Sequence, residues 1–128
     1  MKNLLRGVLV DVEQETVSVV EIADELNEFY RILDCDCIDI VVRRIGSKLF
    51  NIVCDDEALL KDWPKVSAID NLWKPMLYGN LFIVGGETID GNLTGLELSE
   101  ALYVTENVKH LYTKQDPFGY PMLTHCEY

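Results

Sequence analysis

The chain has 128 residues, of which 48% are hydrophobic and 26% charged, values typical of one soluble globular domain. Its 22 acidic and 11 basic side chains give a formal net charge of −11. Such a surface repels nucleic-acid phosphates and anionic lipids, so we expect no direct nucleic-acid binding and no membrane partner. The charge instead either attracts a basic protein surface or keeps the protein in solution.

No segment reaches the roughly 18 apolar residues that span a bilayer, and the first residues do not form a secretory signal. We therefore expect a cytoplasmic protein. In that compartment the four cysteines are expected to be free thiols; they are Cys35, Cys37, Cys54 and Cys126.

Residues 5–22 predict a β-hairpin, because two runs rich in β-branched residues flank the polar stretch "EQE". The next segment, residues 23–33, predicts a helix with one apolar stripe at i, i+3, i+4 and i+7. That stripe consists of Leu26, Phe29, Tyr30 and Leu33.

A second hairpin is predicted for residues 38–54, with its turn at Gly46 and Ser47, where glycine can adopt positive φ. Alternation along its first strand places Ile38, Ile40 and Val42 on one face, which we expect to point inward. A short helical turn is expected in 55–63 and a short strand in 64–70.

Residues 76–86 predict one strand bent at Gly79, and residues 96–112 predict a second helix capped by Thr94 or Ser99. Prolines and a glycine predict an irregular tail over 113–128. The element order ββ-α-ββ-β-α, with short turns between strands, predicts an α+β domain over residues 1–112 with a mainly antiparallel sheet.

Several stretches together resemble an uncharacterised bacterial family catalogued as a domain of unknown function. They are "RGVLVDVEQETVSVVEI", "LDCDCIDI", "RRIGSK", "CDDEALLK", "PKVSA" and "GNLFIVGG", which span residues 5–86. The family is common in phages and mobile elements of Gram-positive gut bacteria. The resemblance implies a cytoplasmic protein of such an element, and it brings no known activity, substrate or catalytic residue.

Cys35 and Cys37 are spaced Cys-x-Cys rather than with the two to four intervening residues usual at zinc sites. With Cys54 they are weak metal candidates, which His125 and Cys126 could complete. The alternative, which we favour, is small thiols packed at a strand entry. Neighbouring aspartates raise a thiol pKa, which disfavours a cysteine nucleophile. We therefore predict no cofactor and no catalytic residue, and lean against an enzyme.

The carboxylates of "DCD" and "CDDE" lack EF-hand spacing, and "GGETIDGNLTG" lacks the pattern of a phosphate-binding loop. We interpret the first as solvated charges and the second as a connector. Arg43, Arg44 and Lys48 form the only basic cluster, at the tip of the second hairpin. They are the candidate anion-binding or docking residues.

The aromatic tail either folds back onto the domain or mediates self-association into a homo-oligomer. Three functions remain open. The first is an accessory protein that acts through contact with a protein partner. The second is a small anionic-ligand or nucleotide binder that uses Arg43 and Arg44 with Trp73 or Trp63. The third is a metal- or cysteine-dependent enzyme.

Overall fold

The computed structural model describes residues 4–61, 63–86, 93–114 and 116–128. These ranges contain two α-helices, α1 (Leu26–Leu33) and α2 (Leu98–Glu106), and a 3-10 turn at Ala58–Leu60. The strands are β1 (Leu4–Asp11), β2 (Thr16–Ala23), β3 (Ile38–Ile45), β4 (Lys48–Asp55), β5 (Val66–Ile69), β6 (Pro75–Tyr78), β7 (Leu81–Val84), β8 (Val108–Leu111), β9 (Tyr120–Leu123) and β10 (Cys126–Glu127).

The strands form two sheets, which confirms the predicted α+β class. The six-stranded sheet has the order β10-β3-β4-β7-β1-β2, and all its neighbouring strands are antiparallel. The four-stranded sheet has the order β6-β5-β9-β8, in which only β5 and β9 are parallel. The chain therefore returns twice, through β9 and β10, to complete sheets that earlier strands began.

Two apolar clusters lie on opposite faces of the six-stranded sheet. The inter-sheet core contains side chains from both sheets together with Ala101 and Val104 of α2. The helix-side core lies under α1 and joins Phe29 and Leu33 to Val53 and Phe82. The molecule thus has three layers, with the six-stranded sheet in the middle.

The first hairpin forms as predicted, and its turn is made by an aspartate. The Asp11 carboxylate accepts the N–H groups of Glu13 and Gln14 at 3.0 and 2.8 Å, and Glu15 adopts a left-handed φ of 60°. An Asx-type turn of this kind replaces the glycine that a tighter hairpin would use. The uninterrupted pairing from Leu4–Ala23 to Asp11–Thr16 follows.

The second hairpin also forms as predicted, with Gly46 at φ 63° in its turn. The hydroxyl of Tyr103, on α2, accepts the Ser47 N–H and donates to the Ile45 carbonyl, both at 3.0 Å. This pair of hydrogen bonds ties the turn to the helix and fixes the end of the hairpin against the inter-sheet core.

The inward face predicted for β3 was wrong for Ile40 and Val42, whereas Ile38 is partly buried against the helix-side core as predicted. Ile45 is fully buried between the sheets and Val41 packs against that core, whereas Ile40 and Val42 are exposed on the other face. The eight-residue helix α1 and its core cover Val53 and Ile38 but do not extend over Ile40 and Val42. Alternation in β3 was therefore predicted correctly, but most of the strand buries the opposite face from the one predicted.

The strand predicted for 76–86 is two strands that belong to different sheets. Gly79 has φ 77° and its N–H donates to the Lys65 carbonyl, which turns the chain between β6 and β7. The next residue, Asn80, is buried, and its side-chain oxygen accepts the Val12 N–H at 2.9 Å. A run of apolar residues cannot by itself reveal such a crossing between sheets.

The second helix is shorter than predicted. Glu97 precedes it and donates its N–H to Glu100 Oε1 at 2.9 Å, the reciprocal bond of a capping box, in place of the predicted caps Thr94 or Ser99. The helix ends at Asn107, whose side chain donates to the Tyr103 carbonyl. Residues 108–111, predicted as helix, form strand β8.

The prediction of an irregular tail was wrong for two of its segments, β9 and β10. Tyr120, Met122, Leu123 and Cys126 are all buried in the inter-sheet core, so this segment folds back onto the domain. Pro121 is accommodated because β5 meets β9 at a single residue pair, Ala68–Leu123, away from the proline.

Candidate functional site

The predicted basic cluster is divided by the fold. Arg43 and Arg44 are consecutive in β3 and therefore point to opposite faces of the sheet. The Arg43 guanidinium lies 4.5 Å from the centroid of the Tyr128 ring, and its Nη1 donates to the Val42 carbonyl. Lys48 Nζ lies 5.0 Å from the Tyr103 centroid. Anion binding by these residues stays a prediction.

Arg43 lines a cavity of about 220 Å³ whose wall also carries Asp39, Asp55 and Asp56. Its Nε is buried and has no hydrogen-bond partner within the described ranges. The surrounding carboxylates oppose the entry of an anion. Arg43 therefore has a structural role in its cation–π contact with Tyr128. The carboxylates around it make the cavity unfavourable for anionic ligands.

The three candidate metal cysteines do not converge. Cys54 belongs to the inter-sheet core and Cys35 packs against the helix-side core, so they lie on opposite faces of the sheet, while Cys37 is exposed. Among the described residues, no three or more His, Cys, Asp or Glu side chains are grouped to hold a metal ion. Cys35 and Cys37 lie between the end of α1 at Leu33 and the start of β3 at Ile38, which is the strand entry expected from the sequence.

The thiol pKa values also disfavour nucleophilic chemistry. Burial, followed by the charge of Asp55, raises the pKa of Cys35 to about 11, and burial together with Asp39 raises that of Cys54 to about 12. Glu57 raises the pKa of Cys37. Thiols of this kind are protonated at neutral pH and are poor nucleophiles.

His125 and Cys126, which the sequence offered as additional metal ligands, lie in different surroundings, His125 exposed and Cys126 buried. His125 Nδ1 lies 3.0 Å from Thr124 Oγ1 and 3.1 Å from Asn107 Oδ1, so its hydrogen bonds go to these residues. Cys126 is fully buried, and burial raises its pKa to about 11. Thr124 and His125 together tie the segment before β10 to Asn107 at the end of α2.

The acidic stretches have structural roles where the structure describes their contacts. The buried Asp55 carboxylate pairs with Lys61 at 2.8 Å and accepts the Glu57 N–H at 2.9 Å. Asp34 ends α1 in the left-handed conformation at φ 53°, and Lys61 donates to its carbonyl. Most of the glycine-containing connector, residues 87–92, lies outside the described residues.

A mainly apolar groove lies on the four-stranded sheet, and we call it the Trp73 groove. It has a volume of about 450 Å³. Its residues are Val66, Ile69, Trp73, Pro75, Leu111, Tyr112, Thr113 and Met122. Trp73 and Tyr112 are 71% and 78% exposed, so they can serve as walls over a floor of aliphatic side chains.

Trp73 is held in place by the β5–β6 turn. The Asp70 carboxylate accepts the N–H groups of Leu72 and Lys74, both at 2.8 Å, and the Trp73 N–H donates to the Asp70 carbonyl at 3.1 Å. Trp73 has φ 64°, a conformation that costs a non-glycine residue on the order of 1–3 kcal/mol. The turn thus holds a large aromatic ring in solvent at an energetic cost.

The groove continues into a cavity of about 220 Å³ that shares Ile69 and Trp73 and has several polar side chains in its wall. Its polar lining comprises Asp70, Asn71, Lys109, Thr124 and His125. Lys109 makes no ion pair with the residues that the structure describes. The combined surface is an aromatic groove with a hydrogen-bonding end, which is the usual composition of a binding site.

Sequence reasoning identified only part of this groove. Trp73 was considered as a stacking residue, but Tyr112 was assigned to the second helix and Met122 to an irregular tail. The groove forms because β9 lies between β5 and β8, a pairing that no local pattern reveals. The signal that sequence did contain was the excess of aromatic residues after residue 111.

The charge of the chain is unevenly distributed. Residues 11–57 contain 13 acidic and four basic side chains, a formal charge of −9. Residues 63–80 and 107–128, which supply the four-stranded sheet, contain three acidic and four basic side chains. The Trp73 groove therefore lies in a nearly neutral part of an acidic molecule.

No helix in the parts of the chain that the structure describes is long and apolar enough to cross a membrane. No curated protein and no solved structure matches the chain. The family resemblance over residues 5–86 is confirmed and extends to residue 109, so that the match covers most of the chain from β1 into β8. The protein therefore belongs to the family described as a domain of unknown function, DUF3846.

Proposed function

We propose that the protein is a non-catalytic binding module that acts through contact with another protein, and that the Trp73 groove is its docking surface. The observation that carries this proposal is the pair of exposed aromatic rings, Trp73 and Tyr112, over an aliphatic floor. Tryptophan and tyrosine are the residues most enriched where protein interfaces gain their binding energy.

The shape of the groove favours a protein over a small molecule. Small-ligand sites bury most of their ligand's surface, whereas both walls of this groove are largely exposed. An open groove of this size suits one or two apolar side chains that protrude from a partner. The partner would then surround the exposed rings and exclude water from them.

The charge distribution supports the same choice. Charged residues are depleted at the centres of protein interfaces, and the groove lies in the part of the chain with the most balanced charge. The acidic remainder of the surface keeps the module in solution and repels unwanted anionic partners.

Peptide selection with a matched tryptophan control tests this proposal. Random peptides are selected on the wild-type protein, and their dissociation constants are measured by fluorescence anisotropy for wild type, Trp73→Ala and Trp63→Ala. Trp63 is 78% exposed and also has a left-handed backbone, but it lines a different, polar cavity. We expect Trp73→Ala to weaken binding at least tenfold and Trp63→Ala to leave it unchanged.

Two results would overturn the proposal. One is a set of selected peptides that bind Trp73→Ala as tightly as wild type. The other is a thermal shift with small anionic compounds such as nucleotides that Trp73→Ala abolishes, because the groove would then be a small-ligand site.

We further propose that the module works in the cytoplasm as an accessory protein of a phage or mobile element, on the strength of the family resemblance. Fractionation of the producing cells checks the first part, and the neighbouring genes check the second. A gene surrounded by conserved chromosomal genes, with no phage or transfer functions nearby, would contradict the second part.

A further inference from the structure

Strand β2 forms an outer edge of the six-stranded sheet. It is eight residues long and pairs with β1 along its whole length without a register shift. No described strand lies on its other side. Val17 and Val19 are 37% and 40% exposed, so an apolar strip accompanies the open backbone.

The other sheet edges carry features that block strand addition. β6 begins with Pro75 and pairs irregularly with β5, and β8 is only four residues long. β10 has two residues. Short strands, prolines and bulges are the devices by which proteins protect their edges.

β3 is open beyond β10, and there its own side chains occupy the backbone. Asp39 Oδ1 accepts the Ile40 N–H and Arg43 Nη1 donates to the Val42 carbonyl, both at 2.9 Å. No described side chain makes such a bond to the backbone of residues 16–23. The sequence of β2, TVSVVEIA, also lacks proline, glycine, lysine and arginine.

The charges around β2 indicate what could pair with it. Glu13 and Glu15 precede the strand and Asp24 follows it, and none of the three makes an ion pair with another described residue. Glu21 is partly neutralised by Arg6 at 3.0 Å. The open edge is therefore apolar in the middle and acidic at both ends.

A second copy of the chain fits this edge poorly. In an antiparallel pair of β2 strands, the Glu15 end of one copy would meet the Asp24 end of the other, so like charges would face each other at both ends. A segment with lysine or arginine near each end would instead be attracted at both.

We propose that β2 accepts an extended segment of another protein as an additional strand, and that this segment has β-branched residues at its centre and basic residues near both ends. Backbone hydrogen bonds would hold the segment, and the acidic ends of β2 would select its charge and register. This strand-accepting edge lies on the six-stranded sheet and is separate from the Trp73 groove.

The test uses the full chain and a synthetic peptide of alternating valine and threonine with two lysines at each end. Amide exchange of β2 is followed by NMR with and without the peptide. We expect alternate amides of β2, those not bonded to β1, to exchange at least tenfold more slowly when the peptide is bound. N-methylation of the peptide at the positions whose N–H groups face β2 should abolish binding. N-methylation at the alternate positions should leave binding unchanged.

Two lysine variants and one control peptide complete the experiment. Val19→Lys should weaken binding at least tenfold, because it places a positive charge on the edge. Leu49→Lys is the matched aliphatic-to-lysine change at an exposed position of the interior strand β4, and it should leave binding unchanged. A peptide with glutamate in place of lysine should bind at least tenfold more weakly.

The proposal is overturned if β2 exchange is unchanged by the peptide, if both peptides bind alike, or if Leu49→Lys has the same effect as Val19→Lys. Protection of β2 that rises with protein concentration in the absence of peptide would show instead that a second copy occupies the edge.

Discussion

The two sheets differ in strand length and in charge. β1 to β4 of the six-stranded sheet have eight residues each, and β2 to β4 lie in the acidic stretch of residues 11–57. All strands of the four-stranded sheet have four residues, and the segments that supply them carry little net charge. A short strand makes few ladder hydrogen bonds, so the four-stranded sheet depends on the side chains it buries between the sheets. The long hairpins can carry charged side chains facing solvent, because their many backbone hydrogen bonds stabilise them.

Leu123→Ala should cause the largest loss of stability, because it removes a side chain buried between the sheets, on which the four-stranded sheet depends. Leu123 is fully buried in β9, at the one residue pair that joins β9 to β5. We expect a loss of about 2–5 kcal/mol in the free energy of unfolding, measured by urea denaturation. Leu49→Ala, at an exposed position of β4, should change it by less than about 0.5 kcal/mol.

The same denaturation experiment shows whether the two sheets unfold together. If the four-stranded sheet were an independent unit, Leu123→Ala would produce two separate transitions, one of them at the wild-type midpoint. A single transition shifted as a whole is expected, because the inter-sheet core contains side chains from both sheets.

Asn80→Ala tests the turn where the chain passes from the four-stranded to the six-stranded sheet, and it should have the next largest effect. The buried Asn80 side chain accepts the Val12 N–H, and alanine would leave that donor without a partner. We expect a loss of about 1–3 kcal/mol in the free energy of unfolding. Asn71→Ala is the control, since Asn71 is exposed; stability losses of equal size in both variants would contradict this role for Asn80.

Alkaline pH probes the inter-sheet core through its thiols. The folded-state pKa of Cys126 is about 11, against about 8.5 for a thiol in an unfolded chain. Between these values the folded form keeps a proton that the unfolded form has lost, so stability is complete below about pH 8.5 and falls as pH rises towards 11. Each such thiol contributes a slope of about 1.4 kcal/mol per pH unit.

Cys126→Ala should therefore give a shallower decline of unfolding free energy above pH 8.5 than wild type, measured by denaturant titration at a series of pH values. Below that pH the two proteins should differ by a constant amount. Parallel curves throughout the alkaline range would show that the thiol ionises equally in the folded and unfolded chain.

The smallest effect is expected in the acidic hairpin, at the ion pair between Arg6 and Glu21. Both side chains are more than one-third exposed, so a double-mutant cycle with alanine should give a coupling of about 0.2–1 kcal/mol that decreases with salt. A coupling above about 2 kcal/mol would mean that the first hairpin relies on charge as much as the four-stranded sheet relies on burial.

The same difference explains which elements could be predicted from sequence. Both long hairpins and α1 were predicted, because eight-residue elements display their period several times. β6 and β7 were merged because apolar residues continue on both sides of Gly79 and Asn80, so the turn was interpreted as a bend within one strand. Residues 120–127 were misassigned because Pro117 and Pro121 resemble loop residues, and their burial depends on strands distant in sequence.

The candidate site could be predicted only in part for the same reason. The exposed position of Trp73 depends on the Asp70 turn, which is local, but the groove beside it requires β5, β8 and β9 to lie together. The basic cluster at residues 43–48 was visible in sequence, whereas the stacking of Arg43 on Tyr128 and of Lys48 on Tyr103 depends on contacts more than fifty residues away.

The distant pairings of β9 and β10 have a consequence for folding kinetics. β9 meets β5 across more than fifty intervening residues, and β10 meets β3 across about eighty. Such loops are slow to close, so we expect the two long hairpins to form early and the last two strands to dock after the transition state. Leu123→Ala should then accelerate unfolding and leave the refolding rate nearly unchanged in stopped-flow measurements. The lifetime of the folded protein, and with it the persistence of the Trp73 groove, would be governed by how long β9 stays in place.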